Sequence, residues 1–128
     1  MPDQTLPRLV GDLIRSYSLQ TELYRELGEC IQKMYSRLIL SRGDVSQVIG
    51  MFQEKQRLLN AITAERSRIE PQVQAWQRQK AAAAPEEAGR LDAALAGTEN
   101  AIASFLDIER QVEHYLTCLV EREGGMSQ

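Results

Sequence analysis

Reactive side chains are scarce in this chain of 128 residues. Histidine occurs once, at His114, and cysteine twice, at Cys30 and Cys118, with no CxxC unit. Zinc and redox motifs built on thiol and imidazole spacing are therefore missing. The two cysteines are expected as free, partly buried thiols, since a reducing compartment disfavours a disulfide between them. A ferritin-like di-metal site needs two Glu-x-x-His pairs on facing helices. Gln111, not a glutamate, stands three residues before His114. The eight glycines are scattered, with Gly124-Gly125 the only adjacent pair, which leaves no phosphate-cradling loop. No apolar run approaches the roughly 18 residues of a membrane span. The opening Met1-Pro2-Asp3-Gln4-Thr5 also lacks the basic-then-apolar pattern of a secretory signal. A cytoplasmic protein without membrane insertion is the expectation. Fifteen basic residues against eighteen acidic ones give a net charge of −3, so nucleic acid is not an expected partner. Neither enzymatic activity nor a cofactor is expected.

What is present is helical periodicity. Aromatics make up only 5% of the chain, and apolar residues recur at alternating steps of three and four. From Val45 this spacing runs through Val48, Phe52, Lys55, Leu59, Ile62, Arg66, Ile69, Val73, Trp76 and Lys80. A helix of roughly 36 residues, about 54 Å long, needs a partner to cover such a seam. An earlier segment repeats the pattern at Leu6, Val10, Leu13, Tyr17, Gln20, Tyr24, Leu27, Ile31, Met34 and Leu38. A later one does so at Ala88, Leu91, Leu95, Thr98, Ile102, Phe105, Glu109, Val112, Leu116 and Leu119. Leu9, Ile14, Leu23 and Cys30 widen the first stripe on both flanks, as expected of a helix with two neighbours.

The boundaries follow from local chemistry. Pro7 suits a first helical turn, and Gly43 can adopt the left-handed conformation that closes a helix. Asp44-Val45-Ser46-Gln47 has capping-box spacing. The alanines at 81–84 can extend the second helix, and Pro85 with Glu86 and Glu87 opens the third, which should stop at Gly124-Gly125. The reading is a single all-α domain, an antiparallel up-down-up bundle of three long helices with coiled-coil character. Its helices span about 6–40, 44–82 with a kink at Pro71, and 85–122.

Charged residues within the seams are expected as rim or buried ion pairs, with Arg66 and Glu109 meeting near mid-bundle. The basic residues of the second helix are interleaved with Glu54, Glu65 and Glu70, which describes a solvated face. Trp76, Tyr17 and Tyr24 belong to the seam and are read as core. Apolar residues exceed the strict stripes at Leu19, Ile39 and Leu40, and at Leu106, Ile108, Tyr115 and Val120. They either thicken the core or form a face for another helix, from a second copy or a client.

One stretch resembles a known family. Ser36-Arg37-Leu38-Ile39-Leu40-Ser41-Arg42-Gly43-Asp44, followed by Val48-Ile49, Glu54-Lys55, Leu58-Leu59, Ile62 and Arg66, is similar to the FlgN-type export chaperones of the flagellar type III secretion system. The likeness covers about a quarter of the chain, and Pro71 and the alanine run depart from it. It implies a cytoplasmic chaperone that binds hook–filament junction proteins before export, mainly through its C-terminal helix. Leu106, Ile108, Tyr115 and Val120 are the candidate partner-binding residues, taken from the apolar surplus on the third helix. The alternatives are a structural coiled-coil protein that self-associates, with a homodimer among its forms, and a small metal or cofactor bundle enzyme. Purified protein free of bound metal and of visible absorbance would dispose of the last.

Overall fold

A computed structural model describes residues 2–126. Three long helices account for nearly all of it: α1 (Pro2–Leu40), α2 (Ile49–Gln79) and α3 (Pro85–Met126). No strand occurs among the described residues, and the helices pack into an all-α bundle. Helix α2 runs antiparallel to α1, with Cys30 beside Met51 at one end and Asp12 bonded to Gln72 at the other. Helix α3 runs parallel to α1, placing Thr98 against Thr21 and Tyr115 against Leu38.

The bundle is organised around α1. Every seam position named on it is at least half-buried, and Leu27, Val10, Leu13 and Leu38 are essentially inaccessible to solvent. Leu9, Ser16, Thr21 and Gly28 are buried too, so the covered surface spans both sides of the strict stripe. Helix α1 meets both α2 and α3 along its length, whereas α2 and α3 hardly approach one another along the backbone. The core falls into two apolar clusters. One is built on Tyr24, Leu27, Ile31, Leu58 and Phe105, the other on Leu9, Leu13, Ile69, Trp76 and Leu91.

Between the clusters lies a buried polar layer of Ser16, Gln20, Thr21 and Thr98. Thr98 Oγ1 donates to the carbonyl oxygen of Tyr17 at 2.9 Å and lies 2.9 Å from Thr21 Oγ1, while Gln20 Nε2 donates to Ser16 Oγ at 3.1 Å. Ser16, Gln20, Thr21 and Thr98 are also satisfied within their own helices, Thr21 by the Tyr17 carbonyl and Thr98 by the Ala94 carbonyl, so a slip between α1 and α3 would break the two bonds of Thr98 that cross between the helices. The polar layer therefore sets their register.

The ends of the helices differ from expectation in several ways. Helix α1 begins at Pro2, so Pro7 lies inside it instead of in its first turn. At its C-terminus, the N–H of Gly43 bonds to the Leu38 carbonyl at 2.7 Å and that of Arg42 to the Ile39 carbonyl at 3.2 Å, a Schellman closure. The left-handed position in that motif is taken by Arg42 (φ 58°), and Gly43 follows with φ 87°. A side chain at Gly43 would also collide with Leu119. Asp44 caps a 3-10 turn over Val45–Val48, not α2 directly, with Oδ1 accepting from Ser46 N at 3.1 Å and from Ser46 Oγ at 2.6 Å. Those bonds hold the Asp44 carboxyl below its usual range. Its stabilising contribution is thus present at neutral pH and lost as the pH falls through 3.8 and below. Past Gln79 the alanines do not extend the α-helix: Lys80–Ala82 form a 3-10 turn and Ala83 is extended. Helix α2 is continuous through Pro71, and α3 passes through Gly124 and Gly125 to Met126 instead of stopping there; Ser127 and Gln128, read as part of a frayed tail, lie outside the described residues.

The buried stripe of α2 is rotated by one residue from the expected one. Val48, Ile62, Ile69 and Trp76 are buried in both versions, but between them it is Leu58 that is buried, while Phe52 and Arg66 are exposed. Met51, Leu58, Glu65 and Gln72 lie on the side turned to α1, and Phe52, Leu59, Arg66 and Val73 on the flank nearer α3, where Leu59 and Val73 still pack against the core while Phe52 and Arg66 are exposed. The reason is that α2 has one close backbone neighbour, α1, and turns its flank toward it. Leu58→Ala should therefore cost about 2–5 kcal/mol in urea unfolding, whereas Phe52→Ala should cost less than about 1 kcal/mol. Equal losses would refute the rotation.

Candidate functional site

A furrow lies between α2 and α3, with α1 as its floor. At the level of the polar layer it forms a hollow of about 230 Å³. Tyr17 and Gln20 of α1 line the bottom, Ile69 and Val73 one wall, and Leu95 and Ile102 the other. Burial pushes the Tyr17 phenol up, with Glu70 and Glu99 adding to the effect.

Toward the α1–α2 junction the walls carry exposed apolar residues. Phe52 on α2 is 41% accessible, and Leu106 and Val120 on α3 are 42% and 68% accessible. Their placement follows from helical spacing. Leu106 and Val120 stand three residues before and eleven residues after Glu109, hence on its face of α3. Phe52 and Leu59 flank Lys55 in the same way on α2. Lys55 Nζ and Glu109 Oε1 meet at 3.4 Å across the furrow. This is the one ion pair between helices among the described residues; the other five join an acid to an arginine three positions on. The expected pairing of Arg66 with Glu109 does not occur, because the height at which α2 and α3 meet sets Lys55 opposite Glu109 and leaves Arg66, eleven residues or about 16 Å further along α2, beside Leu95 and Ile102. Glu109 Oε2 is buried with no hydrogen-bond partner.

The four candidate contact residues on α3 divide into two pairs. Leu106 and Val120 are exposed in the furrow. Ile108 and Tyr115 instead pack against the core on the α1 side: Ile108 reaches Gly28, and Tyr115 stacks edge-on against Tyr35 at 5.7 Å with its hydroxyl 3.5 Å from the Leu38 carbonyl. The sequence reading assigned Phe52 to the seam. A signal was available in Met51 and Leu58, apolar residues on the neighbouring phase of the same helix.

A groove of about 480 Å³ between α1 and α2 is lined by Glu29, Gln32, Lys33, Ser36 and Arg37, with only Leu40 and Met51 as apolar members. Cys30 and Cys118 are free thiols. Burial raises the Cys30 thiol, which donates to the Met51 carbonyl at 3.5 Å. Cys118 Sγ lies 3.6 Å from His114 Nε2 on the exposed side of α3. Among the described residues no three His, Cys, Asp or Glu side chains converge as a metal site, and no helix is long and apolar enough to cross a membrane.

Comparison with protein-family models, curated proteins and solved structures found no match to this chain. Its function must be argued from the furrow itself. Leu106→Glu and Val120→Glu should change unfolding stability by less than about 1 kcal/mol, while Ile108→Glu and Tyr115→Glu should each cost about 2 kcal/mol or more. Chemical denaturation of the four variants checks the division.

Proposed function

We propose that this chain is a non-catalytic binding protein that acts as a cytoplasmic export chaperone of the FlgN type. It covers an amphipathic helix of hook–filament junction proteins before type III secretion. The observation that carries this reading is the furrow, with Phe52 exposed on α2 and Leu106 and Val120 exposed on the Glu109 face of α3. Contiguous exposed apolar surface on a small bundle marks a place for a partner, and a helix lies naturally in a groove between two helices. The residues of the family resemblance, from Ser36 to Arg66, form the end of α1, the junction and the first half of α2, which adjoin the furrow. Covering the client helix would block premature assembly by occlusion alone, with no need for ATP or bond chemistry.

A second reading is a structural coiled-coil protein that self-associates. Ile39 and Leu40, 45% and 81% accessible at the end of α1, favour it because they offer apolar contact outside the furrow. Tagged protein incubated with lysate of the source organism, followed by mass spectrometry of what it retains, separates the two. Recovery of a hook–filament junction protein is expected. Recovery of the chain's own copies alone would replace the chaperone with the scaffold.

A further inference from the structure

We infer that the α2–α3 furrow takes a single amphipathic helix from a partner protein, and that this helix presents an arginine or lysine to Glu109 from the middle of its apolar face. The inference deepens the chaperone reading and rests on it for the helical nature of the partner. The position and chemistry of the contact come from the furrow alone.

Length is the first argument. Leu106 to Val120 is fourteen steps along α3, or about 21 Å at the rise of an α-helix, enough for four turns of an incoming helix. The apolar positions suit such a guest. Leu59 and Leu106 lie on one side of the Lys55–Glu109 pair, and Phe52 and Val120 on the other. A guest helix matching them carries apolar residues on both sides of the point where it crosses Glu109.

Charge decides what stands at that point. Lys55 reaches only Oε1 of Glu109, and at 3.4 Å the contact is long. Oε2 is buried without a partner, and a carboxylate oxygen left so is costly. The Glu109 side chain is still 28% accessible, and a cation arriving from the open side would add a charge-assisted bond to the carboxylate beside the long Lys55 contact. The neighbouring charges agree. Glu99 and Glu113 stand on the same wall of α3 and form no ion pair among the described residues. Counting both walls, Glu70, Glu99, Glu109 and Glu113 outnumber Lys55 and Arg66, so the furrow is acidic and suits a basic guest.

The test begins with a displayed library of helical peptides selected against the full-length protein. Enriched peptides are then synthesised and measured by fluorescence anisotropy. Arginine or lysine is expected in the enriched set, with apolar residues three or four positions away on both sides. Phe52→Glu and Leu106→Glu, shown to be folded by denaturation, should each weaken binding at least about tenfold, and Glu109→Gln should weaken it by about tenfold. Replacing the peptide's cation by leucine should cost the wild-type protein a similar factor and the Glu109→Gln protein much less. No enrichment, enriched peptides without a cation, or binding indifferent to these substitutions would overturn the inference. A dimer in sedimentation that Phe52→Glu disperses would assign the furrow to a second copy and overturn it as well. Junction proteins retained equally by wild type and by these variants would keep the chaperone reading and remove the furrow from it. Furrow-dependent peptide binding with no junction protein recovered would do the reverse.

Discussion

The double-sided apolar surface of α1 is the constraint on which the rest of this molecule depends. Helices of this length gain most of their stability from burying one face, and neither α2 nor α3 finds that face on the other. Both find it on α1, whose residues from Leu9 to Leu38 are covered on two flanks. The rotation of α2, the packing of Ile108 and Tyr115, and the approach of Leu119 to Gly43 are consequences of docking to one shared partner. So is the furrow, because two helices held by a third need not close on each other.

Polar groups then fix what apolar burial leaves undetermined. A coiled-coil stripe can slide by a heptad at modest cost, since one leucine replaces another. Thr98 cannot do so without loss, because its bonds to Thr21 and to the Tyr17 carbonyl join α3 to α1 at one height only. Lys55 and Glu109 play the corresponding part between α2 and α3. Such a half-exposed pair contributes little net stability, and its value lies in specifying alignment. Its geometry is incomplete, and Glu109 is where structural and binding roles would meet.

Arginines on the outer faces are held by acids three residues earlier, a pattern that keeps long helices soluble without creating a field of one sign. Phe52, Leu106 and Val120, like Leu19, Ile39, Leu40, Val45 and Ile49 elsewhere, are apolar surface that burial within this chain does not account for.

Helical class, the existence of three helices and the stripe of α1 were legible from residue spacing, because each depends on periodicity within a single segment. Thr98 and Gln20 could be placed on seams for the same reason, although nothing in their spacing said that they would share a layer with Ser16 and Thr21. Which flank of α2 is buried was not legible. Phe52 and Leu59 are as apolar as Met51 and Leu58, and only the position of α1 chooses between them. The same holds for Ile108 and Tyr115, which could not be told from Leu106 and Val120 by hydrophobicity, and for Glu109, whose partner is Lys55 instead of Arg66 because periodicity does not fix the height at which α2 meets α3. Sequence by itself determined which residues seek burial along each helix. The tertiary structure alone decided which of them find it, because a helix with two apolar flanks and one close neighbour must leave one flank open.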